Sequence, residues 1–243
     1  ALNLRSEAVT FEGSTTMLHL LEPSSAELAQ EKLAIDAQSR KQSAIDANVV
    51  PLLIRAMVEH ATSSKVQYSA LRLLASLVSR GAPEESRVIM GEAVIEATRA
   101  CGKFPWHHKI CKYSCLLIYH CVEADDDIAR LYTDEITHSG GLQYFVDAAR
   151  THTSHRSVLF ASIQAVHVLC RGHDAKAAAR KQHAADLGAT SIVLEAMSRN
   201  DVKELAPVQE HACGALAAIC SGTGSKAIDR KGHAGKQGAV AAV

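Results

Sequence analysis

Thirteen histidines and seven cysteines are the residues of this chain best suited to chemistry. The closest histidine pairs are His107-His108 and His152-x-x-His155. A zinc centre needs three or four ligands converging on one point. Neither pair has a matched partner pair at zinc-finger or zinc-protease spacing, so both read as loop and surface histidines. Cys111-x-x-x-Cys115 places two thiols about one helical turn apart. Small, weakly apolar side chains at that spacing suit close helix packing. Gly222-Thr223-Gly224-Ser225-Lys226 lacks the spacing of a phosphate-binding loop, and no strand pattern precedes it, so it reads as a turn. Asp125-Asp126-Asp127 reads as a helix N-cap with acidic first-turn residues. A calcium loop would need more widely spaced oxygen ligands and a glycine turn. Lys226, Arg230, Lys231, His233 and Lys236 read as a solvated helix face able to meet an acidic partner. The sequence therefore predicts no catalytic, cofactor or metal site.

These residues must be positioned by helices. Hydrophobic residues make up 47% of the 243, enough for a sizeable core, while aromatics are only 4% and prolines five. Lys plus Arg equals Asp plus Glu at 26 each, so no bulk charge favours nucleic acid or an anionic membrane as the main partner. The odd number of cysteines shows no disulfide framework and points to a reducing, intracellular, cytoplasmic setting. No apolar run approaches the ~18 residues of a membrane span, and no secretory signal is visible. The start at Ala1 is consistent with processing or with a portion of a longer protein.

One pattern occurs four times, in Val66–Leu77, Ile110–Val122, Val158–Cys170 and Val208–Cys220. Positions 4, 7, 8 and 11 after each first residue are small or apolar: Ala70, Leu73, Leu74, Leu77; Ser114, Leu117, Ile118, Cys121; Ser162, Ala165, Val166, Leu169; Ala212, Ala215, Leu216, Ile219. At about 100° per residue these fall on one stripe of a helix. A second segment recurs upstream, marked by Val50, Val94, Leu142 and Thr190 at spacings of 44, 48 and 48. The long segments recur at 44, 48 and 50. Each unit also opens on a shorter helical stretch, and a glycine often closes it, as at Gly140-Gly141 and Gly188; Gly81, Gly172 and Gly222 follow the long segments. Two markers with nearly one period signal a repeat architecture.

The pattern resembles the armadillo repeat: a short helix, a Gly-Ala turn into a second helix, and a long third helix of the form Val-Gln-x-x-Ala-x-x-Ala-Leu-x-x-Leu. Lys41 to Pro51 matches the opening of that repeat closely, and the likeness covers about residues 40–243. It weakens in the second unit, where Glu92-Ala93 stands at the Gly-Ala turn. Loop insertions at Glu123 to Asp127 and Arg199 to Leu205 lengthen the units. The expected fold is all-α, a right-handed armadillo-like α-solenoid of three-helix repeats. Its units run 40–83, 84–124, 125–172 and 173–222, with a degenerate or capping unit over 1–39 and the start of a truncated repeat over 223–243. The pattern restarts at Gly238-Ala239-Val240 and stops at Val243, so a further segment or another subunit is expected to cover this end.

The resemblance implies that stacked third helices line a concave groove where protein partners bind. The residues assigned to it are Arg72, Ser76, Tyr113, Leu116, His120, Gln164, Val168, Arg171 and His211. Ser69, Ser79, Glu123, Ala161, Gly214, Ala218 and Ser221 complete the same flank. Nuclear-import adaptors of this family carry a Trp and Asn ladder at positions 6 and 10 of the third helix. Here those positions hold Arg72 and Ser76, Leu116 and His120, Gln164 and Val168, Gly214 and Ala218, so that mode of binding is not expected. The groove is basic and polar early and small or apolar late. The expected function is a non-enzymatic protein–protein interaction scaffold and complex subunit, with a further protein contact at the C-terminal end. A cargo adaptor or a membrane-docked adaptor is the alternative.

Overall fold

The computed structural model describes residues 31–78, 82–199 and 206–239. Residues 1–30 of the capping unit expected over 1–39, Ser79, Gly81, the loop over 200–205 and the chain beyond 239 lie outside the described residues. Among the described residues there are thirteen helices and no strand. First helices are α1 (Glu31–Asp46), α4 (Glu84–Val88), α7 (Asp127–His138), α10 (Ala175–Asp186) and α13 (Ser225–Lys236). Second helices are α2 (Val49–Glu59), α5 (Gly91–Lys103), α8 (Gly141–Thr151) and α11 (Ala189–Ser198). Third helices are α3 (Ser64–Leu77), α6 (His108–Val122), α9 (Arg156–Leu169) and α12 (Ala206–Cys220). No described helix is long and apolar enough to cross a membrane.

The repeated stripe builds the stack. Every stripe residue of the four third helices, from Val66 through Ile219, is buried. Each such helix packs against the next, α3 on α6, α6 on α9 and α9 on α12. The second helices follow the same order, α2 on α5, α5 on α8 and α8 on α11. Phe145, Met57, Leu117 and Ile118 are among the fully buried side chains, each contributing about 1.5–3 kcal/mol from burial. One main cluster of buried side chains runs from Ala44 to Ile219. This cluster crosses the unit boundaries, so apolar faces are completed by neighbouring units.

The Val-Gln start of the third helix has a physical reason. Gln67 Nε2 donates to the Met57 carbonyl at 2.7 Å, satisfying the open end of α2. Gln209 Nε2 donates to the Met197 carbonyl at 3.3 Å and does the same for α11. In the second unit Cys111 takes this place, its thiol 3.6 Å from the Phe104 carbonyl. All seven cysteines are free thiols. Cys115 packs 3.6 Å from Ser162 of the next third helix, so the closely spaced thiols serve packing.

The turns follow the sequence. Gly140 and Gly188 adopt φ of +79° and +78° at the passage from first to second helix. Asn48 takes this left-handed role in the first unit, at φ +56°. The second unit turns at Met90 with φ −92°, which is where the repeat pattern departs. Asp126 caps α7 by accepting from the Ala129 amide at 2.9 Å. It also pairs with the buried Arg87 of α4, whose Nη1 donates to Oδ1 at 3.1 Å. The guanidinium holds the Asp126 carboxyl down at about 2. The basic run on α13 is not one solvated face. Arg230 is buried and donates to the Ile219 and Ser221 carbonyls, while Lys231 donates to Gly222.

Candidate partner-binding face

The third helices bring part of the expected groove together and bury the rest. Arg72 and Ser76 on α3 are half-buried, as are Tyr113, Leu116 and His120 on α6 and Arg171 just after α9. Gln164, Val168 and His211 are only 6%, 4% and 7% exposed. These three do not form an open groove wall. Gln164 Nε2 lies 3.2 Å from His211 Nε2, so the two side chains join α9 to α12 rather than presenting themselves outward. Ser69 and Ala161 are buried on the same flank. The physical reason is the close approach of successive third helices, which turns flank positions into helix–helix contact.

His211 sits within a ring cluster. Its ring centroid is 5.3 Å from Tyr119, 5.5 Å from Phe160 and 5.9 Å from His167. Burial, followed by the nearby Arg171 charge, lowers His167 to about 4. Its imidazole is therefore neutral at physiological pH. Arg171 Nη2 donates to the Val122 carbonyl at 2.7 Å, closing the end of α6 from the next unit. His120 lies 4.0 Å from Glu123.

The N-terminal ends of the third helices form a second cluster, and it unites the two histidine pairs. His108 stacks on His155 at 4.4 Å between ring centroids, and His152 lies 5.7 Å from His155. His107 caps α6, its Nδ1 accepting from the Ile110 amide at 3.4 Å. His152 Nε2 donates to the Pro105 carbonyl at 2.8 Å. Burial and then the neighbouring His155 lower the His108 pKa. Among the described residues no group of three or more His, Cys, Asp or Glu is placed to hold a metal ion. The signal in the sequence was the separation of His107 and His155 by 48 residues, one repeat.

Beside this cluster the face is aromatic and basic. Tyr68 on α3 lies 5.9 Å from Tyr113 on α6 and 6.4 Å from His107. Lys109 Nζ stands 5.3 Å from the centre of the Tyr68 ring, and Lys112 Nζ 4.8 Å from that of Tyr113. Trp106, the sole tryptophan, is 75% exposed in the loop entering α6. Neither Tyr68 nor Trp106 was singled out by the groove flank, because both lie outside its four positions.

No protein-family profile and no curated protein matches the chain. Solved structures do match in fold. One is an engineered protein, 21% identical, covering 97% of this chain and 82% of that one with a TM-score of 0.70. A second engineered protein is 22% identical over 95% of this chain and 54% of that one, with a TM-score of 0.63. A third is a designed armadillo repeat protein in complex with the peptide (KR)4, 17% identical, covering 93% of this chain and 88% of that one, TM-score 0.62.

The fold is armadillo-like. In this armadillo-like frame, positions 6 and 10 of the third helices hold neither Trp nor Asn. The tyrosine rings in contact on this row are Tyr68 on α3 and Tyr113 on α6, outside those two positions.

Proposed function

We propose that the chain is a non-enzymatic protein-interaction scaffold that binds an extended segment of a partner along its third-helix row, as a subunit of a larger assembly. The observation that carries this reading is the continuous row of α3, α6 and α9, with half-buried Arg72, Tyr113, Leu116 and His120 and the exposed Trp106 along it. Tryptophan, tyrosine and arginine are the side chains that most often anchor protein interfaces. The designed armadillo neighbour holds a peptide, which supports a peptide-binding use of the same architecture. That peptide is basic, and Lys109 and Lys112 give this row the wrong sign for it.

The test is selection of displayed random peptides on the immobilised chain, with and without Trp106→Ala and Tyr113→Ser. The expected result is enrichment of peptides whose affinity drops at least about tenfold with the variants. Failure to enrich any peptide, or affinities indifferent to both substitutions, would overturn the proposal.

A further inference from the structure

The 26 acidic residues avoid three stretches of this chain entirely: 60–83, 97–122 and 148–173. Those stretches hold ten Lys and Arg and eight of the thirteen histidines, although the whole chain is neutral. Each spans the loop after a second helix and a whole third helix, α3, α6 or α9, and the latter two also take in the last residues of α5 and α8. The three helices are stacked in order, so these stretches form one strip across three consecutive units, edged by Glu96, Glu123 and Asp147, which pair with Arg99, His120 and Arg150. The strip ends at α12, which carries Glu210 and no Lys or Arg.

We infer that this strip is the docking surface for an extended acidic segment of a partner protein, resting on the reading above that the row binds a peptide. Lys65, Lys109 and Arg156 stand in the first turn of α3, α6 and α9, where the aligned helix dipoles add positive potential. Arg72 and Lys112 lie farther along. The rings run between them without a break: Tyr113 to Tyr68, Tyr68 to His107, His107 to His108 and His108 to His155. Stacked helices lie about 8–10 Å apart, so a strand rising about 3.3 Å per residue presents a carboxylate to each successive helix about every third residue. The zero net charge of the chain gives no broad positive face for a duplex or an anionic bilayer, whereas a single extended strand of polypeptide needs only the cations of this row.

The test is fluorescence anisotropy of the full chain with a labelled dodecamer of alternating Glu and Asp. The same-length Gly-Ser peptide, (KR)4, oligo-dT and phosphatidylserine vesicles are compared with it. The acidic peptide is expected to bind, to weaken at least about tenfold with K109E/K112E, and to weaken as salt screens the charges. Arg55→Glu, on an exposed second-helix position, is expected to leave binding unchanged. Circular dichroism of each variant checks that the fold is kept. No binding of the acidic peptide, equal loss with R55E, or preference for oligo-dT or vesicles would overturn the inference. Display selection yielding neutral or basic peptides that still depend on Trp106 would overturn it while leaving the scaffold reading intact. Selection yielding nothing would remove both.

Discussion

Arg180 donates from Nε to the main-chain oxygen of Leu169 at 2.7 Å, closing the C-terminal end of α9 with a side chain of the next helix. Arg230 makes the same bond to Ile219 at 2.7 Å, closing α12. The following lysines match too, Lys181 reaching the Gly172 carbonyl at 2.6 Å and Lys231 the Gly222 carbonyl at 2.8 Å. The last carbonyls of a helix have no partner within it, and cations there also meet the negative end of its dipole. The Arg-Lys pair therefore staples α10 to the end of α9 and α13 to the end of α12.

Truncation of either arginine leaves buried carbonyl groups without a donor. Arg180→Ala and Arg230→Ala are each expected to lose about 1–3 kcal/mol of stability in urea unfolding. Arg180→Lys recovers only part, because a single ammonium cannot reach the Leu169 and Arg171 carbonyls as Nε and Nη2 do. The exposed Lys226→Ala is expected to stay within about 0.5 kcal/mol of the parent.

Two glycines on neighbouring elements should respond in opposite directions to the same substitution. A Cβ on Gly214 of α12 would stand 2.5 Å from the His167 ring of α9, so Gly214→Ala overpacks that contact and costs about 1–3 kcal/mol. Gly232 of α13 has nothing within 4 Å of such a Cβ and sits inside a helix. Gly232→Ala is expected to stabilise by about 0.5–1 kcal/mol, read as an increase in the urea midpoint.

The pH dependence of stability has two windows. His167 is lowered to about 4, so the unfolded chain takes up its proton first as pH falls. Its stabilising share is complete above about 6.5 and is lost as pH drops from there toward 4. Asp126 is lowered to about 2 beside Arg87, so its share is complete above about 4 and lost as pH falls toward 2. Thermal unfolding across this range is expected to show Tm falling in both windows. His167→Phe flattens the upper one and Asp126→Asn the lower one; unchanged profiles in these variants would contradict the assignment.

The repeated core was legible because burial on one helix face leaves a period in the sequence. All the stripe residues from Ala70 to Ile219 are buried as expected. Gln164, Val168 and His211 were not legible as buried, since only the neighbouring third helix covers them. A flank position reads the same whether water or the next unit faces it. The histidine cluster and the Arg180 staple were missed for a related reason. Their partners lie in other elements, and the clue was recurrence at the repeat spacing, as with Arg180-Lys181 and Arg230-Lys231, rather than a local motif.

Binding of a partner segment along the third-helix row can be mapped residue by residue. The most direct measurement is photo-crosslinking of the acidic dodecamer carrying one benzophenone residue, followed by peptide mapping of the adducts. Adducts are expected on α3, α6 and α9 and on the Trp106 loop, suppressed by unlabelled acidic peptide. Adducts confined to the first or second helices, or spread evenly over all helices, would contradict it.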